Sequence, residues 1–218
     1  MQVKPQTRFL LRGSALLVTL LALWWFVLLN PMLGVLRGAA GTFVGIEDAA
    51  DATNWSVSVG LDRILPATPE QPVAQQIHSI DFDLQHTDVI GFTFSLPLFW
   101  ALMLAAPGLR RNLRPLALGT ALMAVVELLL FLAFAQIAAR NAYAHISGIN
   151  DPTGAWLRHV GEYMIVGVLP FALPFVVALS LQRDLRAAIF PWSIEAATVA
   201  PPAPPEPPQA KRTKNRGQ

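Results

Sequence analysis

The sequence predicts an all-α integral membrane protein, with four transmembrane helices and a small external β-containing segment between helices 1 and 2. Three observations predict it. Apolar runs occupy residues 13–36, 89–109, 115–139 and 163–182. Each holds about 20 residues or slightly more, which at ~1.5 Å per residue crosses a ~30 Å hydrocarbon core. The cations collect on alternate sides of these runs. Between the first two, Trp55-Ser56-Val57-Ser58-Val59 and Ile80-Asp81-Phe82-Asp83-Leu84 alternate with period two, the pattern of short strands with one buried face.

Composition agrees. Only 14% of the 218 residues are charged and 54% are hydrophobic, whereas soluble domains carry about a quarter charged residues. The mean hydropathy is +0.46, so lipid is the solvent for most of the chain. The net charge of +2 reflects topology and not a nucleic-acid footprint. Lys4, Arg8 and Arg12 precede the first run, and Arg110, Arg111 and Arg114 fill the link between the second and third. Arg183, Arg186, Lys211, Arg212, Lys214 and Arg216 follow the fourth. The opposite side carries Arg37, Arg63, Arg140 and Arg158 against Glu47, Asp48, Asp51, Asp62, Asp81, Asp83 and Asp88. The positive-inside rule therefore places both termini in the cytoplasm. The chain has no cysteine, which excludes disulfides, thiol chemistry and cysteine-ligated metal.

Taken in order, residues 1–12 are a basic cytoplasmic end. Helix 1, residues 13–36, imitates a signal peptide followed by Gly38-Ala39-Ala40. Its apolar core exceeds the ~7–15 residues of a secretory signal, so an uncleaved anchor is expected. Pro31 should kink or end it. The extracytoplasmic segment, 37–88, has turn signals at 38–41 and 66–72 around its two strands. It is too short to bury a core of its own, so it should lean on the membrane surface or a partner. Helix 2, 89–109, carries Pro97 in its outer half and ends at Ala106-Pro107-Gly108. A cytoplasmic loop, 110–114, leads to helix 3, 115–139. The extracytoplasmic loop 140–162 holds the turn signal Asn150-Asp151-Pro152-Thr153-Gly154, with Tyr143 and Trp156 suited to the interface. Helix 4, 163–182, contains Pro170 and Pro174, which should bend or split it. The cytoplasmic tail, 183–218, includes a polyproline stretch at 200–208 and should be extended, its basic end solvated or resting on anionic lipid.

Glu127 is the sharpest single residue, an acid at the centre of the third run. Such acids are costly in hydrocarbon and are functional candidates by default. Trp24, Trp25 and Trp100 lie at similar depth, although tryptophan prefers the interfaces. An indole N–H is a donor, so one of them is a candidate partner for the carboxyl. Three roles stay open for Glu127: a packing residue satisfied by one local bond, a contact for a partner, or proton and ion handling. Asp81 and Asp83, on the polar side of a strand, are candidate external contacts, and a solvated strand face explains them equally well. Small residues such as Gly119 and Ala124 suit close helix approach or simple packing.

All four histidines, His78, His86, His145 and His159, fall on the external side. With Glu162, Asp81, Asp83 and Asp88 they compose a metal site only on paper, because no H-E-x-x-H or comparable spacing fixes one. No metal or cofactor is expected. The sequence also lacks a G-x-S-x-G elbow, a Walker A loop and a G-x-G-x-x-G fingerprint. Independent catalysis is disfavoured.

One stretch carries a resemblance. Residues 88–107, Asp-Val-Ile-Gly-Phe-Thr-Phe-Ser-Leu-Pro-Leu-Phe-Trp-Ala-Leu-Met-Leu-Ala-Ala-Pro, resemble the second helix of the exosortase H-associated membrane proteins. The closing run from Glu162 to Pro174, followed by Gln182-Arg183-Asp184, is similar to that family's last helix. The order of anchor, β-like segment and three helices matches as well, and the resemblance covers about residues 9 to 190. It implies a bacterial inner-membrane accessory to an exosortase, an enzyme that acts on C-terminal sorting tails of exported proteins. Those enzymes use a cysteine with arginine and histidine. A chain without cysteine is not that enzyme, and no catalytic residue carries over.

The leading functional reading is a non-enzymatic membrane accessory, with lipids and a membrane protein, an exosortase by the resemblance, as partners. Its helices would pack beside the enzyme while the external segment meets partner or substrate. The alternative is a small transporter or channel subunit using Glu127 and the proline-broken fourth helix. A membrane enzyme built on the external His and Asp residues is a third reading.

Overall fold

Two apolar cores, one under a small sheet and one around a central helix, organise the chain. The computed structural model describes residues 5–48, 54–65, 74–106, 113–148, 151–182 and 185–186. The turn expected at 66–72, most of the basic link at 110–114 and the polyproline tail lie outside the described residues.

Among the described residues, four helices are long and apolar enough to cross a membrane. The first joins α1 (Pro5–Leu23) to α2 (Leu29–Ala40) through a π-helical turn at Trp24–Leu28. Pro31 is the physical reason. It lacks the N–H that would bond the Val27 carbonyl four residues back, and its ring crowds that carbonyl. Widening the preceding turn moves the carbonyl aside, and the Leu29 N–H reaches back five residues to the Trp24 oxygen. The helix therefore continues to Ala40 where an end or a kink was expected at Pro31.

Pro170 is accommodated the same way. After α6 (Pro152–Tyr163), a π-turn at Met164–Val168 leads into α7 (Leu169–Leu181), and the Leu169 N–H donates to the Met164 oxygen. The fourth run is not split: it stays helical through Pro170 and Pro174.

The second run is broken. It comprises α3 (His86–Thr93) and α4 (Ser95–Ala105), separated by a turn at Phe94. Pro97 would clash with the Thr93 carbonyl in a continuous helix, whereas in the first turn of a new helix its missing N–H costs nothing. The helix accordingly restarts at Ser95.

The third run is α5 (Arg114–Ile146), 33 residues and about 50 Å long. It extends seven residues past the expected end at Ala139. Beyond a short turn, where Gly148 takes a left-handed φ of 62°, α6 starts at Pro152. Asp151 caps it, its Oδ1 accepting from the Gly154 N–H at 2.9 Å. The segment 140–162, read from sequence as a loop, is thus helical on both sides of its turn. A proline at the first helical position and an Asp cap are start signals that the turn-rich composition concealed.

Strands β1 (Gly45–Asp48), β2 (Asn54–Leu65) and β3 (Gln75–Gln85) form an antiparallel sheet in the order β1-β2-β3. Trp55, Val57 and Val59 pair with Leu84, Phe82 and Ile80. This apolar face packs on Phe131, Phe134, Ala135 and Ala139 of α5 and on Val89 and Phe92 of α3. Trp55 meets Phe131 edge-on at 6.0 Å, and Phe131 meets Phe92 at 5.8 Å. The Tyr143 hydroxyl of α5 donates to the Ile64 carbonyl at 2.8 Å. The sheet therefore leans on the chain's own helices, which supply the buried surface that so short a segment lacks.

Helix α4 is the centre of the second core. Leu96, Phe99 and Met103 pack against Met123 of α5 and Val177 and Ala178 of α7. In the run containing α4, 61% of the residues in the apolar stretch are buried, against 11%, 28% and 22% in the others, so most residues of those three are at least partly exposed. Gly119 is what lets α5 approach: a Cβ there would stand 2.1 Å from Phe99 Cζ.

Candidate functional site

Breaking a helix inside an apolar bundle exposes backbone donors. The first N–H groups of α4 have no intrahelical acceptor, and apolar side chains around them offer none. Glu127 supplies one from the neighbouring helix α5. Its side chain is 95% buried, leaving 5% exposure. Ser95 Oγ donates to Glu127 Oε1, and the Leu96 backbone N–H donates to the same carboxyl. The positive end of the α4 dipole points at this carboxyl, which adds electrostatic support. Glu127 thus caps α4 from another helix.

The indoles find other partners. Trp100 Nε1 donates to Thr120 Oγ1 at 2.9 Å, and Thr120 donates in turn to the Leu116 carbonyl at 2.8 Å. Trp24 is buried against Phe94, 5.8 Å between ring centroids, and its N–H has no acceptor among the described residues. Phe94, the residue at the break, also contacts Phe171 of α7 at 5.2 Å. Trp25 is 55% exposed and meets this group through Trp24, 5.9 Å between ring centroids. The carboxyl's donors are therefore the hydroxyl and amide at the break, not an indole as the sequence suggested. Those groups reach it first because Ser95 and Leu96 stand directly at the helix start.

Beside Glu127 a lateral groove of about 450 Å³ opens between three helices. Pro31, Met32, Val35, Leu36 and Ala39 of α2 form one wall, Leu96 and Trp100 of α4 the floor, and Ala124, Val125 and Leu128 of α5 the other wall. Glu127 lines it as the sole charged group among the described lining residues.

A family model matches residues 3–185 of this chain, that of the exosortase H-associated membrane proteins. The chain belongs to that family. No curated protein and no solved structure matches it. The match spans every described helix and the sheet. The stretch that carries the resemblance, 88–107, contains the break at Phe94 and the two donors to Glu127.

In this exosortase H-associated protein the external candidates are separate from the groove. Asp81 and Asp83 are exposed, opposite Ser58 and Ser56 on the sheet's outward face, and Glu47 pairs with Ser56 from the other side. His78 Nδ1 lies 3.0 Å from Asp62 Oδ1, both on the surface. His159 and Glu162 of α6 share a second pocket of about 390 Å³ with Asp88. Among the described residues no three His, Asp or Glu side chains are grouped as metal ligands.

Sequence reasoning missed Ser95 and Thr120, the partners of Glu127 and Trp100. It also missed Gly34 and Gly38, a G-x-x-x-G pair on α2 where an added Cβ would meet nothing within 4 Å. A serine two residues before a proline in an apolar run was a readable sign of the first.

Proposed function

We propose that this protein is a non-enzymatic, four-span accessory of an exosortase-type sorting system in the bacterial inner membrane. Both termini face the cytoplasm and the sheet lies on the outer side. Family membership is the observation that carries this reading, because the family is named for association with an exosortase. The charge distribution supports the orientation: the links assigned to the cytoplasm hold arginine and lysine, while the sheet side holds the acids.

The fold supports an accessory role in two ways. Three of the four runs present wide apolar faces suited to lipid and to a neighbouring membrane protein. The sheet is fixed to α5 and α3 through a packed aromatic contact, so a partner meeting it would bind a preformed surface. The transporter reading draws less support, since the central carboxyl already accepts from Ser95 and Leu96 at a helix start.

Co-expression with the exosortase from the same genome tests the proposal. The expected result is co-elution of the two proteins from detergent extracts, and loss of sorting when this chain is deleted. Recovery of the chain without the enzyme, with sorting unaffected by its deletion, would contradict it.

A further inference from the structure

We infer that the groove beside Glu127 seats one transmembrane helix of the partner membrane protein, a helix that brings a hydrogen-bond donor to mid-depth. The inference rests on the accessory reading and names the surface that performs it.

Two independent observations converge on a helix. The first is unused polar capacity. A carboxyl has more hydrogen-bonding positions, in either protonation state, than the two that Ser95 and Leu96 occupy. Glu127 lines a groove whose other lining residues are apolar, and an unmatched polar position there costs several kcal/mol in hydrocarbon. A lipid chain filling the groove would bring no polar atom. A headgroup would not reach it, because Glu127 lies about 18 Å of helix from either end of its apolar run. A neighbouring helix carrying a serine, threonine, lysine or arginine matches both the apolar walls and the carboxyl.

The second observation is the rim. Gly34 and Gly38 lie beside Val35 on the surface of α2, one turn apart, and an added Cβ at either would meet nothing within 4 Å. Both are exposed. Glycines spaced this way let a second backbone approach closely, and packing rather than the hydrophobic effect drives helix association in lipid. Gly119, by contrast, is already filled by Phe99 of the same chain. The pair at 34 and 38 is small with no internal reason to be small.

The chain has no native cysteine, so single thiols give a direct test. Val35→Cys and Val125→Cys, on opposite walls, would each carry a photoactivatable benzophenone maleimide in the full chain co-expressed with the exosortase. Val176→Cys on α7, also exposed, is the control. The expected result is at least tenfold more adduct with the exosortase from the groove positions than from Val176→Cys. The double substitution Gly34→Leu with Gly38→Leu should cut that adduct at least tenfold while leaving the melting temperature of the isolated chain unchanged.

Equal yields from all three positions, groove adducts formed only with lipid or with a second copy of this chain, or full adduct with both leucines in place would each overturn the inference. If the exosortase co-purifies at full yield without any groove adduct, only the groove assignment fails. If it does not co-purify with the unmodified chain, the accessory reading fails too.

Discussion

Ser95 and Glu127, 32 residues apart in sequence, are joined by a hydrogen bond at the point where the second apolar helix breaks. The bond ties α5 to the start of α4 and so fixes the centre of the bundle. Removing the acceptor should cost more than removing one donor. Glu127→Leu leaves the Ser95 hydroxyl and the Leu96 amide unmatched and is expected to destabilise by about 2–3 kcal/mol, against about 1 kcal/mol for Ser95→Ala. Glu127→Gln keeps an acceptor and should fall between wild type and Glu127→Leu. Thermal unfolding in one detergent, followed by circular dichroism, checks the order. A Glu127→Leu protein as stable as wild type would remove the cap from this account.

Gly119 meets Phe99 too closely to admit a side chain. Gly119→Ala is expected to destabilise by about 1–3 kcal/mol through overpacking, and Gly119→Leu to prevent accumulation of folded protein. A smaller residue at the facing position, Phe99→Leu, should recover part of the Gly119→Ala loss. The melting temperatures of the two single variants and the double variant form a cycle, and strict additivity would argue against direct contact.

Trp24 and Trp100 should answer differently to loss of the indole N–H. Trp100→Phe breaks the bond to Thr120 and leaves a part-buried hydroxyl with one partner fewer, at a cost of about 1 kcal/mol. Trp24→Phe removes a buried donor that has no acceptor among the described residues, and should be neutral or stabilising. Paired melting curves decide it, and a larger loss at Trp24 than at Trp100 would contradict these assignments.

The sheet's attachment can be measured through Trp55, which is 3% exposed and packs on Phe131. Trp55→Ala should cost about 3–5 kcal/mol by emptying that contact. Protease cleavage within 74–85 should quicken while the helical signal persists. Unchanged proteolysis would mean that the sheet does not depend on α5.

Much of this was legible in the sequence for reasons that can be named. Hydrocarbon demands long apolar runs, so the helices announced themselves. Trp55-Ser56-Val57-Ser58-Val59 showed its two faces because one is buried against α5 and the other is not. Glu127 stood out because an acid rarely sits in such a run. The rest depended on contacts between distant residues. Nothing near Glu127 in sequence points to Ser95. Strand β1, Gly-Ile-Glu-Asp, is too short to alternate visibly and exists because β2 offers it a register. The π-turns before Pro31 and Pro170 are a backbone answer to proline that leaves no compositional mark of its own.

The proposed orientation is the central claim, since only a sheet on the outer side would stand beside exported proteins. Single cysteines at position 81, for Asp81, and at position 212, for Arg212, can be labelled in intact cells with a membrane-impermeant maleimide. Labelling at 81 without permeabilisation, and at 212 only after it, is the expected result. Labelling of 212 in intact cells, or protection of 81 until the membrane is opened, would contradict the account.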